Sequence, residues 1–217
     1  MHRTTFVAVL CILAAATGSA AAQDFPEPRI GLSDPSSARV ITSFAGIQWG
    51  AAEGEIISLR GRPTTERPAG AGAKGMVYED EQIIGRESAA EFVVHPEQGL
   101  IRGMYFVAFG RGRDCETAFD RLVSDISARY PTIEPTVRKS NESSLDLCGG
   151  VSIGRADAWA HWAEPVPKGL LSELTSDRGS IMVLLPPEDK VISVYYDSPA
   201  ADAWSDEAAK ERREAVF

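Results

Sequence analysis

MVYEDEQIIGRESAAEFVVHPEQGLIRGMYFVAF, residues 76–109, is the stretch whose reading decides the fold. MVYE at 76–79 and QIIG at 82–85 are short strand signals on either side of an acidic turn. AEFVV at 90–94 runs into His95-Pro96, and Gly99 closes that turn. Leu100 through Phe109 is rich in aromatic and β-branched residues, as half-buried strands are. Strands joined this closely can only return beside one another, so the stretch predicts an antiparallel meander.

Working outward, the best helix signal follows directly. Asp114 can cap it, and Glu116 suits its positive end. Phe119, Leu122, Val123, Ile126 and Tyr130 form one apolar stripe at helical spacing, and Pro131 stops it. On the N-terminal side, ARVITSF at 38–44 predicts a short strand. Ile56, Ile57 and Leu59 behind acidic residues predict a short helix ended by Gly61 and Pro63. Residues 64–75 are a Gly/Pro/Thr loop in this reading. Further on, residues 136–148 alternate weakly. ADAWAHWAEP at 156–165 suits either helix or strand, and its bounding Gly154 and Pro165 favour strand. SIMVLL at 180–185 and VISVYY at 191–196 flank the turn PPEDK as a hairpin. The Ala-rich, charged tail at 199–217 predicts a terminal helix, with Asp206 and Lys210 at pairing distance.

The expectation is an α+β fold, two-layer, with an antiparallel sheet and helices on one face. Helix-then-strands occurs twice within a domain at 44–198, so repeats at 44–113 and 114–198 are expected, behind an arm at 23–43. Residues 1–22 have the layout of a cleavable signal peptide: a basic start, an apolar run, and Ala20-x-Ala22 before Gln23. This predicts a mature chain of 195 residues in the periplasm or outside the cell, with no transmembrane span. Formal charge is −9 with both signs interspersed, which makes nucleic acid a poor partner. Cys115 and Cys148 remain after cleavage. They suit one structural disulfide; the alternative is a reactive thiol at the helix start.

Gly46-Ile47-x-Trp49-Gly50, Glu55-Ile56-Ile57, Gly61-x-Pro63, Tyr78, Phe92 and Gly99-Leu100 together resemble the SmpA/OmlA (BamE-like) module. The tandem element order is also similar to β-lactamase-inhibitor-protein-like folds. The resemblance implies a non-enzymatic binding or scaffold role toward another envelope or secreted protein, acting through the sheet face or the 64–75 loop.

Chemical motifs are sparse. Gly150-Val151-Ser152-Ile153-Gly154 has the spacing of a nucleophile elbow, with His161 downstream as the candidate base. The strand–turn–helix context and the chain length for such a hydrolase are missing. His95 and His161 are the only histidines of the mature chain, and no metal ligand set or cofactor is expected. The acidic runs Glu79-Asp80-Glu81 and Glu188-Asp189 are expected at turn tips. Asn141-Glu142-Ser143 is a glycosylation sequon in a eukaryotic host. Trp49, Trp159, Trp162, Tyr195 and Tyr196 are candidate binding aromatics, weighed against simple core packing. A strand at 156–163 would point Trp159 and Trp162 to opposite faces. Three functions stay open: a binding module using Trp159, Trp162 and Tyr196; a serine hydrolase using Ser152 and His161; and a periplasmic small-ligand binder with an aromatic groove between the two repeats.

Overall fold

A computed structural model describes residues 41–110, 114–164, 179–186 and 191–214. The signal segment at 1–22, most of the N-terminal arm and Glu188-Asp189 lie outside the described residues.

The described residues open with a ribbon of two short strands, β1 (Ser43–Phe44) and β2 (Ile47–Gln48), followed by helix α1 (Glu53–Arg60). Gly61 ends α1 at φ +82°, donating its N–H to the Ile57 carbonyl, as the sequence indicates. Four strands follow: β3 (Thr65–Gly70), β4 (Ala73–Ile83), β5 (Arg86–His95) and β6 (Gly99–Ala108). Then come α2 (Asp114–Arg129), β7 (Thr136–Asn141), α3 (Leu147–Ser152), β8 (Ala156–Ala163), β9 (Ser180–Leu184), β10 (Val191–Asp197) and α4 (Ala201–Glu214).

Two sequence expectations change in the first meander. Residues 64–75 are not a loop: they are strand β3, a tight turn and the start of β4. Ala71 and Gly72 both take positive φ between the paired Gly70 and Ala73, as a two-residue type I′ hairpin turn requires. Likewise the acidic run at 79–81 is not a turn between two strands. It is a bulge inside the single strand β4, with Asp80 at φ +67°, and the chain reverses at Ile84-Gly85. Charge clusters mark exposure, and a bulge exposes side chains as well as a turn does.

The ten strands among the described residues form one eight-stranded antiparallel sheet, ordered β3-β4-β5-β6-β10-β9-β8-β7, and the two-stranded ribbon β1-β2. Two four-stranded meanders thus meet where β6 pairs β10, from Arg102↔Asp197 to Ala108↔Val191. The α+β class and the antiparallel sheet agree with the sequence. Both outer edges are guarded against further pairing: β3 carries Pro68 and lies under α4, while β7 carries Arg138 and Lys139.

The main core lies between one sheet face and α1, α2, α3 and the ribbon. Phe44 sits at its centre, with ring centroids 4.8 Å from Phe92 and 4.7 Å from Tyr105. The stripe on α2 buries Phe119, Leu122 and Ile126 here. Cys115, at the start of α2, is joined to Cys148 on α3 with Cα atoms 6.1 Å apart. Helix α3 was not foreseen, since Gly149 and Gly150 are poor helix formers. Asp146 caps it by accepting the Gly149 N–H at 2.7 Å, and the disulfide anchors it. A second, smaller cluster lies on the opposite face. There Trp204 and Ala208 of α4 pack on Ala71, Ala73, Val93 and Ile101. Helix α4 therefore adds a partial layer that the terminal-helix pattern does not position. Its ion pair runs from Lys210 to Glu214, at 3.9 Å, rather than to Asp206.

Candidate functional site

Alternation along the strands decides which side chains share a face. On β8, Ala158, Ala160 and Trp162 point into the main core, and Trp159 and His161 point to the other side. Trp162 is fully buried and Tyr196 is 4% exposed, packed beside Phe44 and Tyr105. Both are core residues, so of the three named binding aromatics only Trp159 reaches a surface. Burial of the Tyr196 hydroxyl pushes its pKa well up, the behaviour of a core tyrosine.

The face carrying Trp159 is covered by α4 over one part only. That covered part is firmly built. Trp204 Nε1 donates to the Gly70 carbonyl at 3.1 Å, and the Ala71 N–H donates to the Glu211 carboxylate. Arg102 is paired with Asp197, and its guanidinium lies 5.0 Å from the Trp204 ring and 5.9 Å from the Tyr195 ring. Desolvation raises the Asp197 pKa against the pull of Arg102. Nearby Glu91 is 1% exposed and accepts from Arg67 Nε at 2.8 Å. Gly75 leaves room for it: a Cβ there would stand 2.1 Å from Glu91 Oε1.

Starting at the edge of the α4 cluster, where Met104 is a member and Phe106 and Tyr195 pack against it, the face carries two cross-strand rows. One is Ala89–Phe106–Ser193–Leu184–Trp159–Arg138, and the other is Met104–Tyr195–Met182–His161–Thr136. Phe106, Leu184, Trp159 and Tyr195 are half-buried, and Met182 is 37% exposed. At about 4.8 Å per strand, the first row from Ala89 to Trp159 is roughly 19 Å long. The sequence expectation named Trp159 and Tyr195 among the aromatics. It missed Phe106, Leu184 and Met182, which become neighbours only through the order β6-β10-β9-β8.

At the β4–β5 end, this band opens into a cleft of about 440 Å³. Ala89, Phe106, Ala108 and Val191 form its apolar lining, and Glu79, Asp80, Glu81 and Glu87 its acidic one. Two further clefts hold cations that are already neutralised. Lys74, beside the start of α1, contacts Glu53 and Glu66 at 2.9 and 3.2 Å. Lys139, beside α2, is paired with Glu116 and Asp120.

The hydrolase geometry does not assemble. Ser152 ends α3, which packs on the main-core face through Leu147 and Val151, and its Oγ donates to the Gly149 carbonyl at 2.8 Å. His161 projects from the opposite face, so the sheet lies between candidate nucleophile and base. The groove expected between the two halves is filled by the continuous β6–β10 ladder. Among the described residues, no group of three His, Cys, Asp or Glu is placed to hold a metal ion. His95 is the last residue of β5, and its Nδ1 accepts the Glu97 N–H from the following turn at 3.3 Å. Asn141 is spent on its own loop, donating to the Leu145 carbonyl and accepting from Ser143.

The residues that carry the family resemblance do structural work. Trp49 Nε1 donates to the Ile41 carbonyl at 2.8 Å, and the Tyr78 hydroxyl to the Gly61 carbonyl at 3.0 Å. None of them lines the open face. No helix among the described residues is long and apolar enough to cross a membrane.

No protein-family model and no curated protein matches the chain. Among solved structures, it is similar to the 1.5 Å crystal structure of an extracellular protein containing a SCP domain from Bacillus anthracis str. Ames. Identity is 11% and the TM-score 0.32, over 79% of this chain and 49% of that one. The chain therefore spans about half the length of that protein. A likeness at that score carries no inference about fold or role.

Proposed function

We propose that the protein is an exported, non-enzymatic binding module that docks another envelope or secreted protein on the open face of its sheet. The observation that carries this reading is the half-exposed band of Trp159, Leu184, Met182, Tyr195 and Phe106 beside the helix-covered part of the face. Aromatic residues and methionine are enriched in interfaces, and a continuous apolar band on a sheet is costly to leave in water without a use. A flat band suits a protein surface better than a small ligand, which needs concave burial. The resemblance to BamE-like modules points to the same class of role.

The test is capture of the tagged mature chain, with crosslinking, from its native envelope fraction, run in parallel with Met182→Glu. A stoichiometric protein partner that crosslinks to β8, β9 or β10, and is lost in Met182→Glu, supports the proposal. Empty capture, or a partner retained by that variant and crosslinked elsewhere, counts against it. A fluorophosphonate probe checks the hydrolase alternative: labelling lost in Ser152→Ala would revive it.

A further inference from the structure

Helix α4 shows what one half of this sheet face accepts. It begins beside β10, where the Ala201 N–H donates to the Ser198 carbonyl. By Ala208 it has reached β3: a Cβ on Gly70 would stand 3.0 Å from the Ala208 Cβ. Between those points its cluster takes in Ile101 and Met104 on β6, Val93 on β5 and Ala73 on β4. Its 14 residues therefore cross the strands, from β10 to β3, rather than follow them. Four strand spacings are roughly 19 Å, and a helix of that many residues is about 21 Å long.

The other half has the same span and no helix over it among the described residues. From Phe106 on β6 to Arg138 on β7 is again four spacings, roughly 19 Å. Its apolar side chains stand two rows deep, about 7 Å apart: Phe106, Leu184 and Trp159 in one row, Tyr195 and Met182 in the next. Polar residues border both sides of this strip, with Asp197 and Ser180 on one and Asp157 and Ser140 on the other. A strip this narrow, running across strands, matches the apolar stripe of a single helix about 10–12 Å thick. A second sheet would lie within about 30° of the strand direction and would need apolar rows along the strands. Strand addition is blocked because both outer edges are guarded.

The strip is also continuous with the α4 interface. Phe106 and Tyr195 pack against the α4 cluster and belong to the strip as well. Asp202, in the first turn of α4, and His161, on β8, both lie close enough to Asp197 to act on its charge. A helix in the strip would start where α4 starts and run the other way across the sheet. We infer that the partner docks an amphipathic helix of about 13 residues across β6, β10, β9 and β8, its apolar stripe on Phe106, Tyr195, Leu184, Met182 and Trp159. The inference rests on the open-face reading and adds the form of the surface that the partner presents.

Two displayed libraries of 14-residue peptides test it. Both have the same Leu, Trp, Tyr, Lys and Glu content; one places the apolar residues at helical spacing and the other in strict alternation. Each is selected on the mature chain, and the binders are scored on Met182→Glu. Binders are expected from the helical library alone and should be lost in that variant. They should gain helical circular dichroism on binding and shift the amides of residues 104–106, 159–161, 182–184 and 193–195. A central proline should weaken them about tenfold or more. His161→Glu places a charge elsewhere in the strip and replaces Met182→Glu if that variant melts at a lower temperature. Binders from the alternating library, or indifference to proline, would overturn the helix assignment; if the charge variant still abolishes them, the open-face reading survives. No binder from either library, or binders that both variants retain, would overturn both. Self-association abolished by the same variants would make a second copy the occupant. Contacts to Met182 and Trp159 from another segment of this chain would make that segment the occupant. Either result overturns the helix assignment.

Discussion

Removing the disulfide with Cys115→Ala/Cys148→Ala is a perturbation whose cost can be worked from the fold. The bond spans a sequence separation of 33, closing a loop of 34 residues that contains α2, β7 and the start of α3. In the chain-entropy model, releasing a loop of that length frees about 12.6 cal/mol/K in the unfolded chain, or about 3.8 kcal/mol at 25 °C. Cys115 is fully buried in the main core, so exchanging its sulfur for hydrogen adds a small packing loss. Helix α3 depends on the bond more than α2 does. It is six residues long, contains Gly149 and Gly150, and buries only Leu147, Gly150 and Val151. The expected result is a stability loss of about 3–4 kcal/mol in urea unfolding. That corresponds to a melting temperature lower by roughly 8–15 °C. Amide exchange should accelerate first over residues 147–152. A midpoint unchanged by the double substitution, or by reductant, would refute the view that this bond clamps α3 to α2. Loss of the β8 amides before those of α3 would refute the local argument even if the global cost were right.

Two further outcomes follow from the packing and the charges. Gly103→Ala would place a Cβ 1.9 Å from Phe44 Cγ, at the most crowded point of the aromatic core, and should cost about 1–3 kcal/mol or more in denaturant melts. Pairing it with Phe44→Leu should recover part of the loss. Asp114 accepts hydrogen bonds from Arg86 and from the Gly110 N–H, and these hold its carboxyl down at about 2. A depressed acid stabilises the fold above its unfolded value, and that contribution is lost as pH falls through the folded value. Asp114→Asn should therefore flatten the stability profile between about pH 4 and pH 2, as acid titration of the melting temperature will show.

How much of this could be read from the residues alone varies by element. The α2 stripe, the Gly61 stop and the 180–196 hairpin were legible because local chemistry decides them: apolar spacing, a left-handed cap, β-branched runs around a turn. Residues 64–75 were not, because Gly and Pro mark loops and tight hairpins alike. What separates them is whether β4 is there to pair with β3. Helix α3 was hidden for a related reason, since its stability comes from the Asp146 cap, the disulfide and packing against β8.

By itself the sequence determined the α+β class and the antiparallel pairing, and it pointed to the Cys115–Cys148 bond and, once 156–163 is a strand, to opposite directions for Trp159 and Trp162. Each of these depends on period, on count or on neighbours a few residues away. Only the tertiary structure decided that Trp162 and Tyr196 are core, that Ser152 and His161 lie on opposite sides of the sheet, and that α4 leaves part of a face open. The physical reason is that strand order is set by pairing between segments far apart in the chain. A band built from Phe106, Ser193, Leu184 and Trp159 has no signature along the sequence until β6, β10, β9 and β8 lie side by side.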